Sequence, residues 1–129
     1  MAITNIISTA IQQLDANGQV LARRAASTQD SAGTVGQFRA GNLIDTSETS
    51  ISLPVAQVRQ LWVRNTDSAA TITVKWTPNG GSETTTGIVL GPNDQIMLWH
   101  TTTGSTKGVS SVKLTASEAN ATFEIYTGG

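Results

Sequence analysis

The sequence predicts an all-β protein, an antiparallel β-sandwich or small jelly roll of about seven strands with an N-terminal arm. Three observations predict it. From Ser50 onward, short apolar runs with period-two patterning recur about every ten residues, separated by turn clusters and without a helical period between them. The 20 Thr and 12 Ser supply a quarter of the 129 residues, and β-branched threonine suits a pleated, half-exposed surface. The chain is long enough for one domain to bury about two thirds of its unfolded surface, which it must do unaided because it has no cysteine to staple it.

The chain divides at residue 50 into an arm (1–49), an assembly or docking segment, and a sandwich (50–129). In the arm, Ile3, Ile6, Ile7, Ile11 and Leu14 fit helical spacing, with Asn17-Gly18 as a stop, so a short helix over 3–15 is one reading. Four isoleucines are poor helix formers, and extended chain is the other. From Ala22 to Thr49 only Val35, Phe38, Leu43 and Ile44 are large and apolar. This stretch has no core of its own. It must lie on the sandwich, add a strand to it or reach a neighbouring subunit.

The sandwich reads strand by strand. SISLP is a short strand closed by Pro54. VRQLWVRN alternates Leu61 and Val63 against Gln60, Trp62 and Arg64. The tetrad TDSA turns the chain into ATITVKW, where Ile72, Val74 and Trp76 share a core face and Thr71, Thr73 and Lys75 the wet one. PNGG is a second turn, because Asn-Gly tolerates positive φ. TTGIVL and QIMLWH flank GPND, which reads as a hairpin turn with Pro92 preset at its second position. After the loop TTTGSTKG come SSVKLT and ATFEIYT, joined through ASEAN.

Charge and motif exclude several function classes. Charged residues are 13% of the chain, about half the usual share, and the net charge is −1. The basic residues are scattered apart from Arg23-Arg24, so no nucleic-acid partner is expected. The N-terminus lacks a basic segment and its apolar residues are interrupted, so neither a signal peptide nor a membrane span is expected, and the chain is expected to be made in the cytoplasm. One His and no Cys argue against a structural zinc site, no calcium-loop spacing occurs, and no cofactor is expected. GSTKG lacks the register of a phosphate loop. Asn120-Ala121-Thr122 spells a glycosylation acceptor and reads as a chance match.

A hydrolase would have to use His100. Asp94 lies six residues back on the same strand face, about 20 Å away at strand rise, so the two cannot touch within that strand. No carboxylate pair shows glycosidase spacing. The chain is therefore read as no enzyme, without catalytic or metal-binding residues. The tryptophans say more. Trp62 and Trp99 sit opposite the inward faces of their strands, and Met97 shares the Trp99 face. Such strands are covered within a sheet, meet another protein, or form a sugar platform.

Taken together, SISLPVAQVRQLWVRNTDSAATITVKW and TTTGIVLGPNDQIMLWH resemble the small β-sandwich virion proteins of tailed bacteriophages, which include capsid decoration (cement) proteins and attachment domains of head fibres and tail accessories. The shared features are a strand ending in LP, a strand running into VRNTDS, a TITVKW partner and the strand–LGPND–strand unit, covering Ser50 to Gly129. The resemblance implies a non-enzymatic structural protein of the virion, a homo-oligomer that binds other virion proteins such as the major capsid protein or portal and tail components. The expected interface comprises Ile3, Ile6, Ile7, Ile11, Leu14, Trp62, Met97 and Trp99. The alternative is a carbohydrate- or receptor-binding sandwich from a phage tail or a secreted protein.

Overall fold

A computed structural model describes residues 3–33, 36–100 and 107–129, with side chains at 6–27, 36–100 and 107–129. The described residues are all-β, in ten strands: β1 (Ile3–Leu14), β2 (Val20–Gly33), β3 (Gly36–Ile44), β4 (Thr49–Ser50), β5 (Gln60–Asn65), β6 (Ile72–Pro78), β7 (Ile88–Leu90), β8 (Gln95–Trp99), β9 (Val109–Ala116) and β10 (Ala121–Gly128). Two four-stranded sheets, ordered β3-β10-β5-β8 and β4-β9-β6-β7, face each other, and β1-β2 forms a separate two-stranded ribbon. Six of the seven strands expected after residue 50 form. SISLP is the exception, since only its Ser50 belongs to a strand, β4. Residues 51–54 are irregular chain in which the Ile51 N–H still donates to Val112 O (2.9 Å) and Pro54 has no N–H to continue a ladder.

Within the sandwich the pairing is nested. β3 pairs with β10, β4 with β9, β5 with β8 and β6 with β7, all antiparallel, and β5–β10 and β6–β9 pairs complete the sheets. Alternation fills the space between them. Leu61 and Val63 from β5, Phe123 and Ile125 from β10, Ile72 and Val74 from β6, and Val112 and Leu114 from β9 are buried, whereas Trp76 packs half-buried against this core. At one end, reciprocal backbone bonds between Val58 and Val109 (2.9 and 2.8 Å) tie the approach to β5 onto β9.

The other end is knotted by Asn65, which is fully buried. Its Nδ2 donates to the carbonyls of Ala70 (2.8 Å) and Leu90 (3.0 Å), and its Oδ1 accepts from the Asp67 N–H (2.9 Å). Its backbone bonds Asp94 and Asn93 of the GPND turn. One side chain at the end of β5 thus ties its sheet to two carbonyls of the other, just before the start of β6 and at the end of β7.

Three further expectations need correction. The helix over 3–15 is instead strand β1, and Asn17-Gly18 belongs to the hairpin turn into β2, capped by Asp15 Oδ1 accepting from the N–H groups of Asn17 (2.8 Å) and Gln19 (2.9 Å). The β-branched isoleucines favour the extended state, and strand pairing supplies the hydrogen bonds a helix would have made. The arm also ends earlier than residue 49, because β3 and β4 are sandwich strands and Ile44 is in the core. The part outside the two sandwich sheets is the ribbon, 3–33. GPND is a reversal as expected, with Asp94 N–H donating to Gly91 O (3.0 Å) and Asn93 at φ 66°. It is not a hairpin turn: β7 and β8 lie in opposite sheets, so the turn carries the chain across the sandwich.

The loop between β6 and β7 is closed by Gly81 N–H donating to Pro78 O (2.9 Å), and Thr84 extends the ladder to Trp76. Gly87 then enters β7 at φ 71°, with Val74 O only 2.5 Å from where a Cβ would stand. No other residue fits there without moving β6. Most of the TTTGSTKG loop, residues 101–106, lies outside the described residues.

Candidate functional site

The outward faces of the two sheets differ in kind. On β4-β9-β6-β7 the exposed side chains are largely hydroxyls and charges. Lys113 Nζ meets Glu83 (2.7 Å) and Glu48 (3.7 Å), and Lys75 Nζ meets Glu48 (3.2 Å). Hydrogen bonding from Lys75 holds the Glu48 carboxyl below its ordinary range, and Glu83 raises the Lys113 ammonium.

The outer face of β3-β10-β5-β8 is aromatic. Register places Phe38, Tyr126, Trp62 and Met97 side by side, one from each strand, in a row crossing the whole sheet. Phe38 stacks with Trp62 (centroids 6.0 Å apart) and Tyr126 with Trp99 (6.3 Å). The Trp62 indole N–H donates to Gln95 Oε1 (2.7 Å), whereas the buried Trp99 indole N–H has no acceptor among the described residues. Arg64 and Glu124 oppose each other in the flanking row.

Over this face stands the ribbon. A cleft of about 720 Å³ separates them, lined on one side by residues 6–11 of β1 and on the other by Trp62, Gln95, Met97 and Tyr126. Ile11 is 74% exposed, Ile6 62% and Leu14 51%, and Val20 and Leu21 are exposed beside them; Ile7 is half-buried. Ile3 starts β1, and its side chain lies outside the described residues. Of the expected interface residues, the structure brings Ile6, Ile7, Ile11, Trp62 and Met97 to one cleft and leaves Leu14 at the far end of the ribbon. Trp99 sits at the edge of the aromatic face.

No family model, curated protein or solved structure matches this chain. The site itself must carry the functional argument.

Phe38 and Tyr126 are the residues that sequence reasoning missed. Tyr126 was available from alternation with Phe123 and Ile125. Phe38 was hidden by a bulge: the register slips where Arg39 and Asn42 face consecutive inward residues of β10, with Gly41 at φ 69°. Phe38 and Leu43 therefore both point outward, although five residues apart, and the period of two disappears from the sequence.

His100 and Asp94 are not brought together. His100 directly follows β8, its N–H donating to Arg59 O (2.9 Å) and its carbonyl accepting from Gln60 Nε2 (3.1 Å). Asp94, at the opposite end of β8, accepts from the Gly91 N–H (2.9 Å). Among the described residues no group of three or more His, Asp or Glu side chains is placed to hold a metal ion, and no helix is long and apolar enough to cross a membrane. What the site offers is apolar and aromatic contact area, with a few hydrogen-bonding groups at its margin.

Proposed function

We propose that this chain is a non-enzymatic structural protein of a tailed-phage virion, a capsid decoration or head-associated protein, which binds neighbouring subunits through its N-terminal ribbon and the aromatic face of β3-β10-β5-β8. The observation that carries the assembly reading is the ribbon. An isolated two-stranded sheet is marginal in water, yet this one is about 40 Å long at the usual strand rise and displays Ile6, Ile11, Leu14, Val20 and Leu21 to solvent. Such a ribbon gains its stability from a partner. The nested pairing of the eight sandwich strands, which we read as a jelly-roll winding, is an architecture shared by viral capsid domains and lectins; this supports the virion reading only as a fold-level analogy.

Light scattering after size exclusion tests the reading. The full chain is expected to run as an oligomer, and Ile11→Asp, at a site too exposed to disturb the chain's own core, is expected to lower the native mass without changing the circular dichroism. A monomer at every concentration, with no affinity for phage heads, would overturn it. The aromatic row also suits a sugar, so the second reading is a carbohydrate- or receptor-binding module. Glycan binding that vanishes in Trp99→Ala while the fold persists would favour that reading.

A further inference from the structure

The two edges of the ribbon are unlike each other. β1, ITNIISTAIQQL, contains no charged residue and no proline, whereas β2, VLARRAASTQDSAG, carries Arg23, Arg24 and Asp30. Proteins guard an open strand edge against pairing with charges and proline. The β2 edge is guarded and the β1 edge is not. β1 pairs only with β2 among the described residues, so its other side presents free N–H and C=O groups. The cleft runs along that side: residues 6–11 are consecutive, point alternately to the two faces of the ribbon, and line it without any residue of β2. An open hydrogen-bonding edge over an apolar floor is the geometry that accepts an added strand.

We propose that the added strand is β1 of a second copy, paired antiparallel about a two-fold axis at Thr9 to give a four-stranded β2-β1-β1-β2 sheet. This rests on the reading of the ribbon as an assembly element and names its partner. A two-fold axis normal to a sheet pairs residues whose numbers sum to an even value. Two such registers overlap all but one residue of β1. The one centred on Ser8 sets Ile7 against Thr9. The one centred on Thr9 overlaps residues 4–14 and sets Ile7 against Ile11 on both sides of the axis, with Ser8 against Ala10 on the other face. Because β1 is uncharged, the self-pairing brings no like charges together. It also turns a two-stranded ribbon, marginal alone, into a sheet of independently stable width.

The chain's lack of cysteine makes the test direct. In Thr9→Cys the two introduced thiols face each other across the axis, at the ~4.5–5.5 Å Cα separation of directly opposed residues, which a disulfide spans. Ala26 pairs with Thr9 on β2, so in Ala26→Cys the two thiols lie three strand spacings apart, about 14 Å, beyond disulfide reach. Mild oxidation is expected to convert most of Thr9→Cys to a covalent dimer on a non-reducing gel and to leave Ala26→Cys a monomer. Thr9→Lys, which opposes two ammonium groups, is expected to lower the native mass. The pairing is overturned if Thr9→Cys stays uncross-linked, or if Ala26→Cys cross-links as readily. Should Ile11→Asp still lower the native mass in that event, the ribbon assembles by another surface and only this inference fails.

Discussion

Asn65 and Asp67 hold one end of the sandwich by different means, and each carries a consequence. Asn65→Ala removes two donors and an acceptor from a buried site and takes the Asn65 hydrogen bond from each of the Ala70 and Leu90 carbonyls and from the Asp67 N–H. A loss of about 2–3 kcal/mol in urea unfolding is expected, with an unchanged dependence on denaturant. Asp67 acts through charge. Its carboxylate accepts first from the Ala70 N–H (2.8 Å), then from Ala69 (2.9 Å) and Thr122 (3.2 Å), which together hold it below the ordinary carboxylate range. The folded chain therefore resists protonating it more than the unfolded chain does. Its stabilisation is complete above the ordinary value and is lost as pH falls through the lowered one, below about pH 4. Accordingly, the gap in melting temperature between the parent chain and Asp67→Asn should be wide at pH 7 and narrow at pH 3.

Six strands after residue 50 were legible because each is an apolar run closed by turn residues, and burial follows strict alternation in β5, β6, β9 and β10. Three features were not legible. Ile3, Ile6, Ile7, Ile11 and Leu14 satisfy helical and strand spacing alike, and only pairing with β2 decides between them. The bulge in β3 broke the period that would have announced it. GPND shows turn chemistry without topology: Pro92 and Asn93 specify a reversal, but whether the next strand joins the same sheet depends on distant partners. Where the sandwich does make a true hairpin, between β6 and β7, geometry is strict. Gly87→Ala forces a left-handed residue against Val74 O and is expected to lower stability by about 2 kcal/mol or more, read as a drop in the denaturation midpoint.

At the scale of the molecule, the sandwich is two-sided. The face with the Glu48, Lys75, Glu83 and Lys113 cluster is suited to water, and the opposite face carries the aromatic row under the ribbon. On the proposed function, assembly uses the aromatic face and leaves the charged one free. Lys113→Glu, which reverses a charge in the cluster, is therefore expected to leave the native mass unchanged while shifting melting only slightly, since exposed ion pairs contribute little. A change in mass equal to that of Ile11→Asp would mean that the charged face also touches a neighbour. The candidate site was half visible beforehand: Trp62, Met97 and Trp99 could be set on the outer face by counting, but the cleft needed the ribbon's position, which arises from folding at long range.

The nesting of β10 between β3 and β5 also sets an order of events during synthesis. A nascent chain that has emerged as far as β9 holds β3 and β5 with a vacant lane between them, and the sheet that bears the aromatic row cannot zip shut until residues 121–128 leave the ribosome. Contacts so distant along the polypeptide form slowly. Throughout that interval Phe123 and Ile125 are still missing from the interior, and the half-built sheet presents two unclosed borders to its surroundings.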